Sequence, residues 1–427
     1  MDQELVSRVL EHVNRERLVS LCADLVSTPS PTGQEGAIGQ YIACWLQEHG
    51  VPSYLQEVEE GRANVIGRLK GSGQGCSLSF NAHMDSSFTG GDVDLLTLGE
   101  ISESGKPQAA VADGFIAGLG VNNDKGPLAA TLEAMAALRE SGVTLEGDLV
   151  ATGVVGEIGK APIGLHTGRS ARGKGLGTMF LVTHGVVTDF ALVAEPSNLA
   201  MTWCLPGACY IRLTTRGRPA YTPFTRRDAN GVSSENAIMN MLPVLQAVDR
   251  WGARYQEERP YSFPGGVIIP KVNIGAIEGG LPIKPNYAAG ICYAYVDVRI
   301  PPGVKPLAAF RELEQVAASA GVPVEAEMYL SQPGCDGKGT EPIQEAVENG
   351  HRAVFGAPTK QISSDQTSMW NDVNVYNWYG IPCLKYGPSG ITYGKKREER
   401  LAIDDLVRAA QVYALAALQI CRRKRGA

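Results

Sequence analysis

Four imidazole or carboxylate side chains next to apolar stretches of the sequence could together bind a divalent metal ion. His83 follows such a stretch, as do Glu157 and Glu195, and Asp124 stands just ahead of a segment with helical periodicity. An imidazole combined with carboxylates is the donor set of a first-row divalent metal site. Each residue alone fits a structural or surface role equally well, so the metal hypothesis depends on the four occurring together.

The elements that must position these residues read as an α/β sheet. The apolar stretches before the three strand-end residues are residues 78–82, 148–155 and 190–194, and they are separated by segments of helical periodicity. One helix is predicted after the capping-box pattern from Thr32 to Glu35. Ligands of open α/β sheets gather beyond the carboxyl ends of the strands. The strand-end residues are therefore expected to share one crevice.

A second domain is predicted where the pattern of the chain changes, between residues 207 and 328. Strand-like runs and two helices alternate there, at residues 209–215, 235–250, 266–277, 288–300 and 306–320. This mixture predicts a small α+β domain inserted into a larger one formed by residues 1–206 and 329–427. For the larger domain we predict an α/β fold with a mixed, largely parallel sheet flanked by helices.

Composition narrows the class of protein. The 427 residues are 44% hydrophobic and 20% charged, as in a globular protein, and the net charge of -6 does not favour nucleic-acid binding. No stretch approaches 18 consecutive apolar residues, and the charged first sixteen residues do not resemble a secretory signal. Nine scattered cysteines without a CxxC pair suit a reducing compartment. We therefore expect a cytoplasmic protein without nucleic-acid or membrane partners.

Several short motifs resemble, in their order and spacing, the M20 family of metallopeptidases and amidohydrolases. They are Ala82-His83-Met84-Asp85, Asp113-Gly114, Asp124-Lys125-Gly126, Gly156-Glu157-Ile158-Gly159, Ala194-Glu195-Pro196 and the segment from Asp297 to Pro302. Each motif is weak alone, but the set is specific and spans almost the whole chain. The resemblance implies that the inserted domain is a lid or dimerisation domain. It also implies a homodimer or higher homo-oligomer.

The resemblance also implies roles for individual residues. His83, Asp124 and Glu195 are similar to the ligands of one metal ion. Asp124 with Glu157 is similar to the carboxylate part of a second metal site, and Asp85 is similar to the aspartate that supports the first.

The chain departs from the family pattern at three positions. The family has two adjacent glutamates, the first of which is the general base, and here that position is Gly156. The last metal ligand of the family is a histidine, whose position is taken by Lys395, with Tyr393 close by. Tyr221 replaces the histidine that the family lid brings to the reacting group, although Arg299 remains.

These departures predict one divalent metal ion per subunit, either Mn²⁺, Zn²⁺ or Co²⁺, because the second site has lost its histidine. Glu157, freed from ligation, would then be the general base, with Asp85 in support. That Glu157 still binds metal remains the alternative. Tyr221 and Arg299 are predicted to contact a small-molecule substrate that carries a carboxylate.

A site without the usual base and second metal suits a substrate that is already activated towards water. The main prediction is therefore an aromatic aminohydrolase, in which metal-activated water attacks a ring carbon, as in the conversion of 5-nitroanthranilate to 5-nitrosalicylate and ammonia. Two alternatives remain open. One is an ordinary M20 amidase, deacylase or dipeptidase, and the other is a catalytically inactive relative that keeps its metal.

Overall fold

The computed structural model describes residues 3–229, 233, 235–391 and 398–426. The chain divides into two compact units. The first comprises Met1–Trp203, Gly337–Ile362 and Asn371–Ala427, and the second comprises Cys204–Asp336 and Ser363–Trp370.

Helices and strands alternate through much of both units. The helices are α1 (Gln3–Leu10), α2 (Arg15–Ser27), α3 (Gly36–Glu48), α4 (Leu95–Leu98), α5 (Gly126–Glu140), α6 (Leu176–Thr183), α7 (Ala237–Glu258), α8 (Pro306–Ala318), α9 (Glu341–Phe355), α10 (Ser364–Thr367), α11 (Val373–Trp378) and α12 (Ile403–Cys421). The strands are β1 (Ser53–Glu59), β2 (Arg62–Leu69), β3 (Leu78–His83), β4 (Ala110–Ala112), β5 (Phe115–Ala117), β6 (Leu149–Val154), β7 (Phe190–Ala194), β8 (Met201–Thr202), β9 (Gly207–Arg216), β10 (Tyr261–Phe263), β11 (Gly266–Ile268), β12 (Val272–Gly279), β13 (Ile291–Ile300), β14 (Val324–Gln332), β15 (Cys383–Tyr386), β16 (Gly390–Ile391) and β17 (Arg400–Ala402).

A seven-stranded mixed sheet organises the first unit. Its order is β1-β2-β6-β3-β7-β15-β8, and the four strands β6, β3, β7 and β15 run parallel to one another. Strands β3, β6 and β7 are almost entirely buried, as expected for the parallel centre of a sheet covered on both faces. The predicted α/β class with a largely parallel sheet is confirmed.

Helix α5 is buried on nearly all sides, although its sequence predicts one apolar face. Its contacts are with β3 and β6 of the sheet and with the helices α2 and α12. The alanines between its leucines account for the difference, because small side chains allow close approach of other helices on the remaining faces. This helix begins directly after the irregular turn Val121–Lys125, which carries one of the predicted metal ligands.

The second unit is an antiparallel four-stranded sheet with helices α7 and α8 packed on one face. Alternate residues of β13 are buried, which is the pattern of a strand with one face against a core. Strand β14 pairs with β9 along most of its length, so the unit continues past the predicted boundary at residue 328. Residues 363–370 also belong to this unit, which the sequence did not indicate.

Two local predictions are corrected by the structure. The run 266–277 is broken into β11 and β12, with Pro270 between them. The capping box before α3 does not form. Instead the Thr32 hydroxyl donates to Asp85 Oδ2 at 2.8 Å, and Glu35 pairs with Arg62 at 2.6 Å. Both side chains are thus used for contacts with distant parts of the chain.

Among the described residues, no helix combines the length and apolarity needed to cross a bilayer.

Candidate metal centre

His83 is the last residue of β3, and its ring orientation leaves one nitrogen available to a metal ion. Nδ1 lies 2.8 Å from the backbone carbonyl oxygen of Asp85. Because a carbonyl oxygen only accepts, Nδ1 carries a hydrogen, and a neutral ring that binds a metal ion would do so through the lone pair of Nε2. Burial opposes protonation of the ring, but Asp85, Asp124 and Glu157 outweigh it and raise the pKa of His83 well above its usual value. A backbone partner that fixes the tautomer in this way is typical of metal-binding histidines.

Three of the predicted residues come together at the carboxyl edge of the parallel strands. One donor atom each of His83, Glu157 and Glu195 lies within 4.8 Å of the others. Nε2 of His83 is 3.9 Å from Glu157 Oε2, and Glu195 Oε2 accepts a hydrogen bond of 3.0 Å from Asn371 Nδ2. Strands β6, β3 and β7 are neighbours in the sheet, so residues at their ends meet because of the sheet order.

Asp124 is not part of this three-residue group, although it was predicted as a ligand. Its Oδ2 accepts from the His83 backbone N–H at 3.2 Å, and its buried Oδ1 has no hydrogen-bond partner among the described residues. Instead Asn123 Oδ1 lies 3.2 Å from His83 Nε2. The irregular turn Val121–Lys125 therefore presents the asparagine to the imidazole and turns the aspartate towards the β3 backbone. Sequence reasoning missed Asn123 because an amide is a less common ligand than a carboxylate.

Asp85 supports the centre from a fully buried position. Its Oδ1 accepts from the backbone N–H of Glu157 at 3.0 Å, and Oδ2 accepts from the N–H of Ile158 at 3.3 Å. Burial alone would raise the pKa of Asp85, but its interactions with His83 and Thr32 outweigh this and lower the pKa. Asp85 thus holds the ring of one candidate ligand and the backbone of another, which is a positioning role.

The carboxylates around His83 crowd one another in a buried space. Burial, reinforced by the charge of Glu195, raises the pKa of Glu157 well above its usual range. Burial likewise raises the pKa of Asp124 well above its usual range, and it raises that of Asp372 to about 6. A divalent cation would relieve this repulsion. The available donor set, which includes His83 Nε2 and the Asp124 oxygen that has no partner among the described residues, therefore fits a metal ion.

Asp372 was not identified from the sequence. Asp372 is buried, and its Oδ2 accepts from Thr178 Oγ1 at 2.6 Å and from Asn81 Nδ2 at 3.0 Å. Asn81 lies two residues before His83 on β3. The signal that was available is a buried strand asparagine, Asn81, on the same face as His83.

Gly156 has no room for a side chain at the position where the family carries its general base. Its φ of +64° is left-handed, and a Cβ there would lie 2.7 Å from Arg62 Nη2 and 3.0 Å from the Arg172 carbonyl oxygen. Arg62 is fixed by the buried ion pair with Glu35. Packing behind the site thus excludes a glutamate at position 156.

The remaining predicted residues either fall outside the described residues or belong to the second unit. Lys395 and Tyr393, predicted to replace the last family histidine, fall outside the described residues. Tyr221 and Arg299 belong to the second unit. Tyr221 is 43% exposed, and the Arg299 guanidinium pairs with Asp297 at 2.9 Å on the same strand. The substrate-binding roles of both residues stay predictions.

Comparison with known proteins agrees with this architecture. A sequence model of peptidase family M20/M25/M40 matches residues 79–419. The chain is 27% identical to an N-formyl-4-amino-5-aminomethyl-2-methylpyrimidine deformylase of Halalkalibacterium halodurans, over 94% of each protein. The deformylase of the same name from Bacillus subtilis is 25% identical over 100% of both. The dipeptidase Dug1p of Saccharomyces cerevisiae has the same fold, with a TM-score of 0.72 at 13% identity over 98% of each chain.

Proposed function

Because the chain belongs to peptidase family M20/M25/M40, we propose that it is a metal-dependent hydrolase of an amide-type carbon–nitrogen bond in a small molecule. We assign metal binding to His83, Glu195 and Asn123, and proton transfer to Glu157. The observation that carries this proposal is the group of His83, Glu157 and Glu195, whose donor atoms lie within 4.8 Å of one another at the strand ends.

An N-formyl or other N-acyl amine is the substrate class that we favour. Two relatives that align with nearly the whole chain are named as deformylases of an N-formyl compound. The more specific prediction of an aromatic aminohydrolase acting on 5-nitroanthranilate finds no support in these relatives. The alternative of an ordinary M20 amidase or deacylase fits them better.

The metal ion and the residues of the site have different roles in the proposed reaction. A divalent metal ion bound there would lower the pKa of water and polarise the scissile carbonyl. Glu157 is held through its backbone by Asp85, at 3.0 Å, and its side chain stands beside His83. These contacts support our assignment of Glu157 as the carboxylate that accepts the proton of the attacking water and passes it to the leaving amine. Gly156 cannot share this role because it has no side chain.

The proposed function is tested by metal content and turnover. Purified protein should contain a divalent metal ion, and it should hydrolyse at least one member of a panel of N-formyl and N-acyl amines, assayed by amine release. Treatment with a chelator should abolish turnover, and added Mn²⁺, Zn²⁺ or Co²⁺ should restore it. Full activity in the chelated, metal-free protein would refute the metal-dependent mechanism.

A further inference from the structure

A lysine is buried within the same sheet that positions the metal centre. Lys385 lies on β15 with no solvent exposure. It pairs in register with Val193 of β7, which in turn lies opposite Asn81 of β3. Residues in register on neighbouring strands point to the same face of a sheet. The Lys385 side chain therefore emerges on the face that carries Asn81 and, two residues further along β3, His83.

Glu195 is close to this lysine as well. It follows Val193 by two residues at the end of β7, and neighbouring strands are separated by only about 4.8 Å. Burial lowers the pKa of Lys385, and the charges that oppose this shift are those of Glu195, Asp124 and Glu157, with Glu195 the largest. The lysine thus faces the carboxylates of the metal centre, and burial weakens the screening of their interaction by water.

We propose that Lys385 supplies a built-in positive charge to the carboxylates Glu195, Asp124 and Glu157, and that this charge limits the centre to a single divalent ion. The inference rests on the proposed function, because it assumes that the centre binds metal. Like charges in a buried site repel strongly, so an ammonium group beside the carboxylates disfavours the accumulation of a second divalent cation. Asn123 also disfavours a second divalent cation, because its amide offers the metal an oxygen without a negative charge.

The experiment is a titration of chelator-treated protein with Mn²⁺, with free Mn²⁺ followed by electron paramagnetic resonance. Wild type should bind one Mn²⁺ per chain. Lys385→Met, which keeps most of the side-chain length and removes the charge, should bind Mn²⁺ about tenfold or more tightly, or should take up a second ion. Lys385→Arg, the matched variant that keeps the charge, should behave as wild type. Lys385→Gln is the neutral variant to use if the methionine variant does not fold, as judged by circular dichroism.

Three results would overturn the inference. One is a folded neutral variant with the affinity and stoichiometry of wild type. Another is tighter Mn²⁺ binding in Lys385→Arg as well, because this would show that altered packing, and not the lost charge, raises the affinity. The third is a wild-type chain with two tightly bound Mn²⁺ ions. Failure of the proposed function is distinguishable, because wild type would then bind no divalent ion and hydrolyse no amide before any variant is made.

Discussion

At the scale of the residue, the most tightly constrained position near the centre is Gly156. The left-handed backbone and the Arg62 guanidinium behind it each oppose a side chain. We expect Gly156→Ala to lower the free energy of unfolding by about 1–3 kcal/mol, since strained backbone and a displaced buried ion pair both contribute. Urea unfolding measures this.

Gly142 offers a matched control for that substitution. Its φ is +66°, nearly that of Gly156, but no atom lies within 4 Å of an added Cβ. Gly142→Ala therefore measures only the cost of placing an alanine in a left-handed backbone conformation. It should lower the free energy of unfolding by less than Gly156→Ala does. Equal losses for the two variants would show that Arg62 does not restrict position 156.

Glu157 is the carboxylate to which we assign proton transfer. If Glu157 is the general base, the substitution Glu157→Gln should reduce turnover by about 10²–10⁴-fold, while the affinity for metal changes little. If Glu157 is instead a metal ligand, the same substitution should weaken metal binding, and excess metal should restore turnover. Turnover measured over a range of Mn²⁺ or Zn²⁺ concentrations separates the two. Recovery to near wild-type turnover at high metal would refute the base assignment.

Asn123 should bind metal more directly than its neighbour Asp124. Its Oδ1 faces His83 Nε2, so Asn123→Ala should weaken Mn²⁺ binding by about tenfold or more, since even the loss of an outer-shell partner typically costs about 10–100-fold in metal affinity. Asn123→Asp should strengthen binding, because a charged oxygen replaces a neutral one. Asn349→Ala, on the exposed surface of α9, is the control. Unchanged affinity in Asn123→Ala would exclude the residue from the centre.

At the scale of the element, the irregular turn Val121–Lys125 is held by a residue far along the chain. Glu399 accepts hydrogen bonds from the backbone N–H groups of Gly120 at 2.8 Å and of Asn122 and Asn123 at 3.1 Å each. A turn that follows neither helical nor strand geometry lacks a ladder of its own for these donors. The partly buried Glu399 carboxylate supplies the acceptors and so determines where Asn123 points.

Replacement of Glu399 by Gln should loosen this turn. The amide can offer only one acceptor oxygen, so at least one buried N–H loses its partner, at a cost of about 1–3 kcal/mol in the free energy of unfolding. Mn²⁺ affinity should fall with it, because Asn123 is no longer held. The adjacent Glu398→Gln is the matched control. Loss of stability with fully retained Mn²⁺ affinity would limit Glu399 to a structural role.

At the scale of the whole molecule, the second unit is expected to mediate homodimerisation. Strand β12 lies at the edge of its four-stranded sheet and is largely exposed, with Ile277 among its exposed apolar residues. Exposed edge strands pair readily with another chain, and symmetric dimers are the commonest oligomers. Light scattering coupled to size exclusion should give a dimer at micromolar concentration.

The dimer prediction has a directed test. Ile277→Lys adds a charge to the edge, a device by which natural sheets prevent pairing, and it should shift the protein towards monomer. Val267→Lys places the same charge on β11, outside that sheet, and should leave the dimer unchanged. A wild-type monomer at micromolar concentration would contradict the prediction.

The sequence by itself determined the central parallel strands of the first unit and where they end. Strand β7 was predicted at its observed bounds, and β3 and β6 within a residue or two, because a short apolar run in a covered parallel sheet is a local signal. Because these strand signals are local in the sequence, the grouping of His83, Glu157 and Glu195 could also be predicted. Each follows a strand, and parallel strands end at one edge.

Only the tertiary structure decided which side chains face the metal centre. Asn123 rather than Asp124 faces the imidazole because Glu399, 276 residues away, holds the turn. Position 156 is closed because Arg62 packs behind it, and Lys385 enters the site through the pairing of β15 with β7. These outcomes depend on contacts between distant segments, and no pattern within a short window of sequence encodes them. Periodicity specifies an element, whereas long-range packing orients its side chains.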